Sequence, residues 1–189
     1  MKKYHYSNAQ VCKSGHIISS NIDTYPNEKK TFCPTCGAKT ITQCPHCQSN
    51  IQGNYYAEKI VQRSYDSLYA STSDLFDSLP VQVSSVKIAD MELPAYCYNC
   101  GQPFPWTESL LNTADEIVEL SDFLTDEQKE QLKKCFPNLI TDTIESNIAA
   151  IKFSKLFAKL EPFAKESLKN LLLEYISDAI LVMLGWKSS

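Results

Sequence analysis

Three observations predict an α+β chain with two differently built parts. Cysteine and histidine recur in short clusters between Cys12 and Cys100, separated by turn formers and by one alternating segment. From Thr107 onward no glycine occurs until Gly185, and helix formers dominate. Hydrophobic residues make up 43% of the 189, enough to bury a core. The expected organisation is a head of short strands and cysteine knuckles over residues 1–106, carrying an insertion at about 48–96. A C-terminal helical hairpin or small helical bundle follows over residues 107–189.

The head is ordered by its ligands. Cys12-Lys-Ser-Gly-His16 opens it, and Cys33-Pro-Thr-Cys36, Cys44-Pro-His-Cys47 and Cys97-Tyr-Asn-Cys100 follow. Each Cys-x-x-Cys turn offers one ion two soft sulfur donors, and tetrahedral zinc needs four donors. The knuckles must therefore pair, giving a double zinc ribbon with two Zn²⁺ ions on Cys12, His16, Cys33, Cys36, Cys44, Cys47, Cys97 and Cys100. Sixteen residues lie between His16 and Cys33, a ribbon-like loop, but only seven between Cys36 and Cys44, which suits a linker between two sites. That favours sequential pairing: the first four donors on one ion and the last four on the other. A crossed pairing, with the first and third knuckles sharing an ion, is the alternative. His5 or an outside ligand could stand in for His16. His46, inside a knuckle, reads as a surface residue, and Cys135, beside Phe136, as a small buried hydrophobe.

Taken in order, residues 1–11 read as a polar lead-in with a short strand, and Ile17-Ile18 as the start of another. Pro26 and Asn27 mark a loop. In the insertion, Ser64 to Leu79 has helix-like apolar spacing, and Val81 to Ile88 alternates as a strand does. Two prolines and two aromatics, Pro103-Phe-Pro-Trp106, make a stiff junction, with Trp106 as a packing anchor. Thr107 is placed to cap a first helix with Leu110, Leu111, Ala114, Ile117 and Val118 on one face. Thr125 to Gln128 fits a capping box for a second helix, ended by Pro137. Thr141 is placed to cap a third, with Ile144, Ile148, Ile151, Phe157 and Leu160 along its stripe. Pro162 opens a fourth that runs to a C-cap at Gly185 and is apolar all round at Ile180–Leu184. Such a segment needs burial on several sides or a second protein chain.

Charge narrows the partners. Net charge is −4; residues 1–106 carry nine cations against eight anions, and residues 107–189 nine against fourteen. Neither part is a basic surface for phosphates. Arg63 is the sole arginine, which further disfavours reading of nucleic-acid bases. Nucleic-acid binding through Lys13, Lys29, Lys30 and Lys39 stays as the second possibility. The start of the chain has no signal-peptide pattern, and no apolar run approaches the roughly 18 residues of a spanning helix. A cytoplasmic, reducing setting is therefore expected, in which paired cysteines are metal ligands and not disulfides. Histidine-glutamate zinc-hydrolase and deaminase motifs and glycine-rich phosphate loops are all missing. The expected zinc is structural, with no catalytic residues, and the expected role is an adaptor whose helical tail docks a protein or its own copy.

Three segments carry a resemblance: Cys12-x-x-Gly15-His16, Phe32-Cys-Pro-Thr-Cys-Gly-Ala38 and Pro94-Ala-Tyr-Cys-Tyr-Asn-Cys-Gly101 with Pro103-Phe-Pro-Trp-Thr107. Together they resemble an uncharacterised bacterial family, a domain of unknown function with a double zinc ribbon. The likeness covers roughly residues 9–53 and 94–110. Tyr55–Leu79 reads as extra length beside it, and the helical tail has no matching motif. The resemblance implies zinc binding and bacterial origin, and it implies no activity.

Overall fold

A computed structural model describes residues 3–61, 82–141 and 143–187. The fold is α+β, with small antiparallel sheets first and helices afterwards. The chain divides into two compact units, Met1–Leu93 and Pro94–Ser189.

The first unit holds two three-stranded sheets. One has the order β3-β2-β4, from Ile17–Ser19, Gln10–Cys12 and Thr40–Ile41. The central β2 is buried along its whole length. The other has the order β1-β5-β6, from Lys3–Asn8, Gln52–Val61 and Gln82–Ala89. Strand β6 is the alternating segment expected at 81–88. Strand β5 falls in the stretch expected at about 48–96 as an insertion, where no strand was expected before Val81; it forms the middle of a sheet and is paired on both edges. Tyrosine-rich sequence suits such a strand, but its partner β1 lies some fifty positions earlier, and nothing local announces the pairing. The helix expected over Ser64–Leu79 lies outside the described residues.

The two sheets meet where β5 begins. The Asn54 amide donates to the Ser20 carbonyl at 3.1 Å, and the Ser7 hydroxyl donates to the same carbonyl at 2.7 Å. Gly53 lies against this carbonyl so closely that a Cβ would stand 2.1 Å from the Ser20 oxygen. Space, not backbone angle, demands glycine at this position.

The second unit is a helical bundle: α1 Pro105–Glu119, α2 Asp126–Lys133, α3 Phe136–Leu139, α4 Ile144–Phe157, α5 Pro162–Leu172 and α6 Asp178–Met183. Its core gathers Leu110, Ala114 and Val118 of α1 with Phe136, Phe153, Leu168 and Leu172. Phe153 also meets Phe136, Phe157 and Trp186 ring to ring. The predicted capping box at Thr125 is present, and Gly185 takes the left-handed conformation, φ +70°, expected of a C-cap.

Five expectations are corrected here. Helix α1 starts at Pro105, because proline suits the first helical position; Thr107 is fully buried and its hydroxyl donates to the Ala95 carbonyl at 2.7 Å instead of capping. Pro137 does not end α2, which stops at Lys133; it sits in the first turn of α3. Thr143, not Thr141, precedes α4, sharing a capping box with Ser146. The expected long fourth helix is broken into α5 and α6 where Ser177-Asp178 supplies a fresh start signal. The largest change is in α4. Ile144, Ile148 and Ile151 point to solvent, and Ser146, Ala149, Ala150, Phe153 and Leu156 face inward. In α6, Ile180 and Leu181 are buried while Val182 and Met183 are exposed.

Replacing Gly53 by alanine should destabilise the first unit by at least about 2 kcal/mol, because the conflict is with backbone and cannot relax cheaply. Thermal unfolding followed by tyrosine fluorescence would register it, and an unchanged midpoint would contradict the close approach.

Candidate metal centre

Three of the ligand turns share one local design. In Cys33–Cys36, the Cys33 amide donates to the Ala38 carbonyl at 2.8 Å and the Gly37 amide donates back to Cys33 at 2.9 Å. Cys44 and Cys97 repeat this with Ser49 and Gln48, and with Gln102 and Gly101, at 2.8 to 2.9 Å. Each turn closes with a residue at positive φ: Gly37 at +72°, Gln48 at +62° and Gly101 at +69°. Glycine adopts this at no steric cost, whereas Gln48 carries about 1 kcal/mol of strain. Each turn is flanked by a β-bridge: Phe32 with Lys39, Gln43 with Asn50, and Tyr96 with Pro103.

The fourth turn is the β2–β3 hairpin. Cys12 ends the buried central strand, and Gly15, at φ +93°, turns the chain so that His16 returns beside it. The Cys12 amide donates to the His16 carbonyl at 3.0 Å, and the His16 amide lies 3.2 Å from the Cys12 sulfur, donating to it. On the other edge Cys12 pairs with Thr40 of β4, which follows the Cys33–Cys36 turn closely in the chain. Sheet pairing thus brings two sequence-distant ligand pairs together.

The donors form two groups. Cys12, His16, Cys33 and Cys36 place their ligand atoms within 4.8 Å of one another, and so do Cys44, Cys47, Cys97 and Cys100. Sequential, not crossed, pairing describes both. In the first group, Cys12 Sγ lies 3.7 Å from Cys36 Sγ, and His16 Nδ1 lies 3.4 Å from Cys12 Sγ and 3.7 Å from Cys33 Sγ. Around an ion with bonds of about 2.3 Å to sulfur and 2.0–2.1 Å to nitrogen, tetrahedral edges measure about 3.8 and 3.6 Å. The contacts match the edges of such a tetrahedron. They are far too long for a disulfide, and no cysteine is in one. Both groups can hold a metal ion.

Electrostatics favours the ligand state. Burial alone raises the Cys33 thiol, but the amides of Cys36 and Thr35 and the neighbouring Cys36 and Cys12 thiols bring it down to about 6. Cys12 moves upward, chiefly by burial, against the pull of the His16 and Ser14 amides. Of the two thiols, that of Cys33 is therefore the more acidic. Cys12, Cys33, Cys44 and Cys97 are buried, while His16 and Cys36 face solvent.

The remaining histidines stand elsewhere. His5 stacks on Tyr56 in the β1-β5-β6 sheet and approaches Glu58 at 3.9 Å; His46 is exposed. Neither joins a donor group among the described residues. Cys135 is buried, its thiol raised by that burial and directed at the Gln131 carbonyl, 3.3 Å away.

One supporting residue escaped the sequence reading. Gln10, buried next to Val11 and Cys12, donates from its side-chain amide to the Lys30 carbonyl and the Thr40 hydroxyl, both at 2.9 Å. Its side-chain oxygen accepts from the Lys30 amide at 2.9 Å. Gln10 thereby ties the loop leading into Cys33 to the strand bearing Cys12. A glutamine in a short apolar strand was the available signal.

The model of a family described as "Uncharacterized protein conserved in bacteria (DUF2321)" matches residues 5–73 and 79–184. The chain belongs to this family. The DUF2321 match extends well past residues 9–53 and 94–110. It includes most of Tyr55–Leu79, which therefore belongs to the family pattern and is not extra length, and it takes in the helical unit nearly to its end. No curated protein and no solved structure matches.

Two outcomes follow from the site. Gln10→Ala should cost about 2 kcal/mol by orphaning the Lys30 backbone groups, and should speed metal loss to a chelator from the first group before the second. Cys97→Ser should release one of two bound metal equivalents and leave the far-ultraviolet helix signal largely intact. Loss of both equivalents together would show that the two groups are not independent.

Proposed function

We propose that this protein is a non-catalytic binding module in which two structural Zn²⁺ ions, on Cys12, His16, Cys33 and Cys36 and on Cys44, Cys47, Cys97 and Cys100, hold a double-ribbon head, while the helical unit docks a protein. The observation that carries this reading is the composition of the two donor groups. One supplies three thiolates and an imidazole and the other four thiolates, each the full complement of structural zinc, whereas catalytic zinc keeps a position for water or substrate. Thiolate-rich sets also select zinc over magnesium or calcium. The cysteines favour a reducing, cytoplasmic setting, and no helix among the described residues is long and apolar enough to cross a membrane. The acidic balance of residues 107–189 and the exposed apolar side chains of the helical unit favour a protein over a nucleic acid.

A second reading rests on one specific feature. Tyr4 and Tyr6 of β1 are exposed and pack against Tyr55 of β5, with ring centroids 5.9 and 4.7 Å apart, on one face of the sheet. Exposed aromatic rings on a sheet can stack on unpaired bases. The scarcity of arginine and the net charge of −4 weigh against it.

Elemental analysis of the purified full chain should find about two zinc per chain, and iron in their place would overturn the zinc assignment. Affinity purification from a bacterium that carries the protein, with and without nuclease, separates the two readings. Defined proteins retained after nuclease support the module; associated material that disappears with nuclease, and salt-sensitive binding to single strands, would replace it with nucleic-acid binding.

A further inference from the structure

Helix α4 is apolar on two opposite sides, and only one of them is used by the fold. Ala149, Ala150, Phe153 and Leu156 face the core. On the far side Ile144, Ile148 and Ile151 are 88%, 55% and 52% exposed. Their spacing of four and three residues puts them on one stripe, the pattern of a helix–helix seam. Lys155 continues the stripe, and its aliphatic stem can cover an isoleucine. Polar residues edge it: Glu145 and Lys152, two turns apart, along one side, and Asn147 and Ser154 along the other, all exposed.

We propose that this stripe is a self-association seam, on which α4 of a second copy of this chain packs antiparallel about a two-fold axis passing between Ile148 and Ile151. The charges select both partner and register. In this register Ile148 of each copy levels with Ile151 of the other, and Ile144 with the stem of Lys155. Glu145 of each copy then lies beside Lys152 of the other, twice by symmetry. Sliding by two turns in one direction sets Glu145 against Glu145, and in the other direction Lys152 against Lys152. A parallel pairing puts these charges beside Asn147 and Ser154, with no opposite charge to meet. Of these arrangements, the antiparallel one centred between Ile148 and Ile151 alone is complementary in charge as well as in apolar contact. The seam is short beside the roughly 1,200–2,000 Å² of a standard interface, so association is weak and reversible.

This inference deepens the module reading by naming one occupant of the helical unit, and it rests on that reading. Sedimentation of the zinc-replete full chain should show its mass rising from one chain towards two between about 1 and 300 μM. Ile148→Glu should raise the dimer Kd by about 30-fold or more, and Glu145→Lys or Lys152→Glu by about five- to tenfold each. The double exchange E145K/K152E should return it to within about twofold of the native value, since it restores both pairs. All three positions are exposed, so unchanged far-ultraviolet circular dichroism and zinc content serve as folding controls. A single-chain mass over the whole range, or a dimer indifferent to Ile148→Glu, overturns the proposal. A dimer weakened by Ile148→Glu but not rescued by the double exchange overturns the antiparallel register. Proteins retained after nuclease by a strictly monomeric chain would remove this seam and leave the module reading; a rescued dimer that retains only nucleic acid would do the reverse.

Discussion

The first unit is arranged around four donors, Cys12, His16, Cys33 and Cys36, whose ligand atoms lie close enough together to hold one metal ion. Among the described residues of this unit the buried apolar side chains are few, and Cys12, Cys33 and Cys44 are among them, beside Ala9, Val11, Ile22 and Ile51. Ligation free energy is folding free energy in modules of this kind. The β3-β2-β4 sheet has strands of only two or three residues, and its pairing brings Cys12 and His16 beside the turn of Cys33 and Cys36. Gln10 and Thr40 illustrate this: their buried polar groups bridge the strand with Cys12 and the loop entering Cys33, and they do not build hydrophobic contact.

The second unit solves the same thermodynamic problem by different means. Its helices bury leucine, alanine and phenylalanine around Phe153, and among the described residues its buried polar groups are few and satisfied. Ser121 donates to Glu161 at 2.6 Å, Trp106 to the Pro94 carbonyl at 2.8 Å, and Thr107 to Ala95. The last two fasten α1 to the segment that leads into the Cys97 turn. Phe104 stacks on Trp106 with centroids 4.6 Å apart, giving that turn an aromatic footing.

The knuckle repeat shows how tolerant the ligand turn is of its fifth position. Gly37 and Gly101 have open space around a would-be Cβ, so the turn asks only for positive φ there, and Gln48 meets the same requirement with a side chain. The strain at Gln48, about 1 kcal/mol, is small enough for the middle turn to do without glycine.

The sequence by itself determined what is local. Cys-x-x-Cys spacing fixes two donors on one turn, loop lengths favoured the sequential grouping, and Thr125, Pro162 and Gly185 announced helix ends through capping chemistry that acts over three or four residues. The tertiary structure decided what depends on partners far away in the chain. Gln52–Val61 became a central strand because β1 and β6 were both present to pair with it. Periodicity placed Ile144, Ile148 and Ile151 on one face of α4 but could not tell which face looks inward. In the bundle, the crowded surroundings of Phe136 and Phe153 admit Ala149 and Ala150 closely, and the bulkier isoleucines are left outside. A helical pattern specifies a stripe, and only close packing against other helices specifies the side on which it is buried.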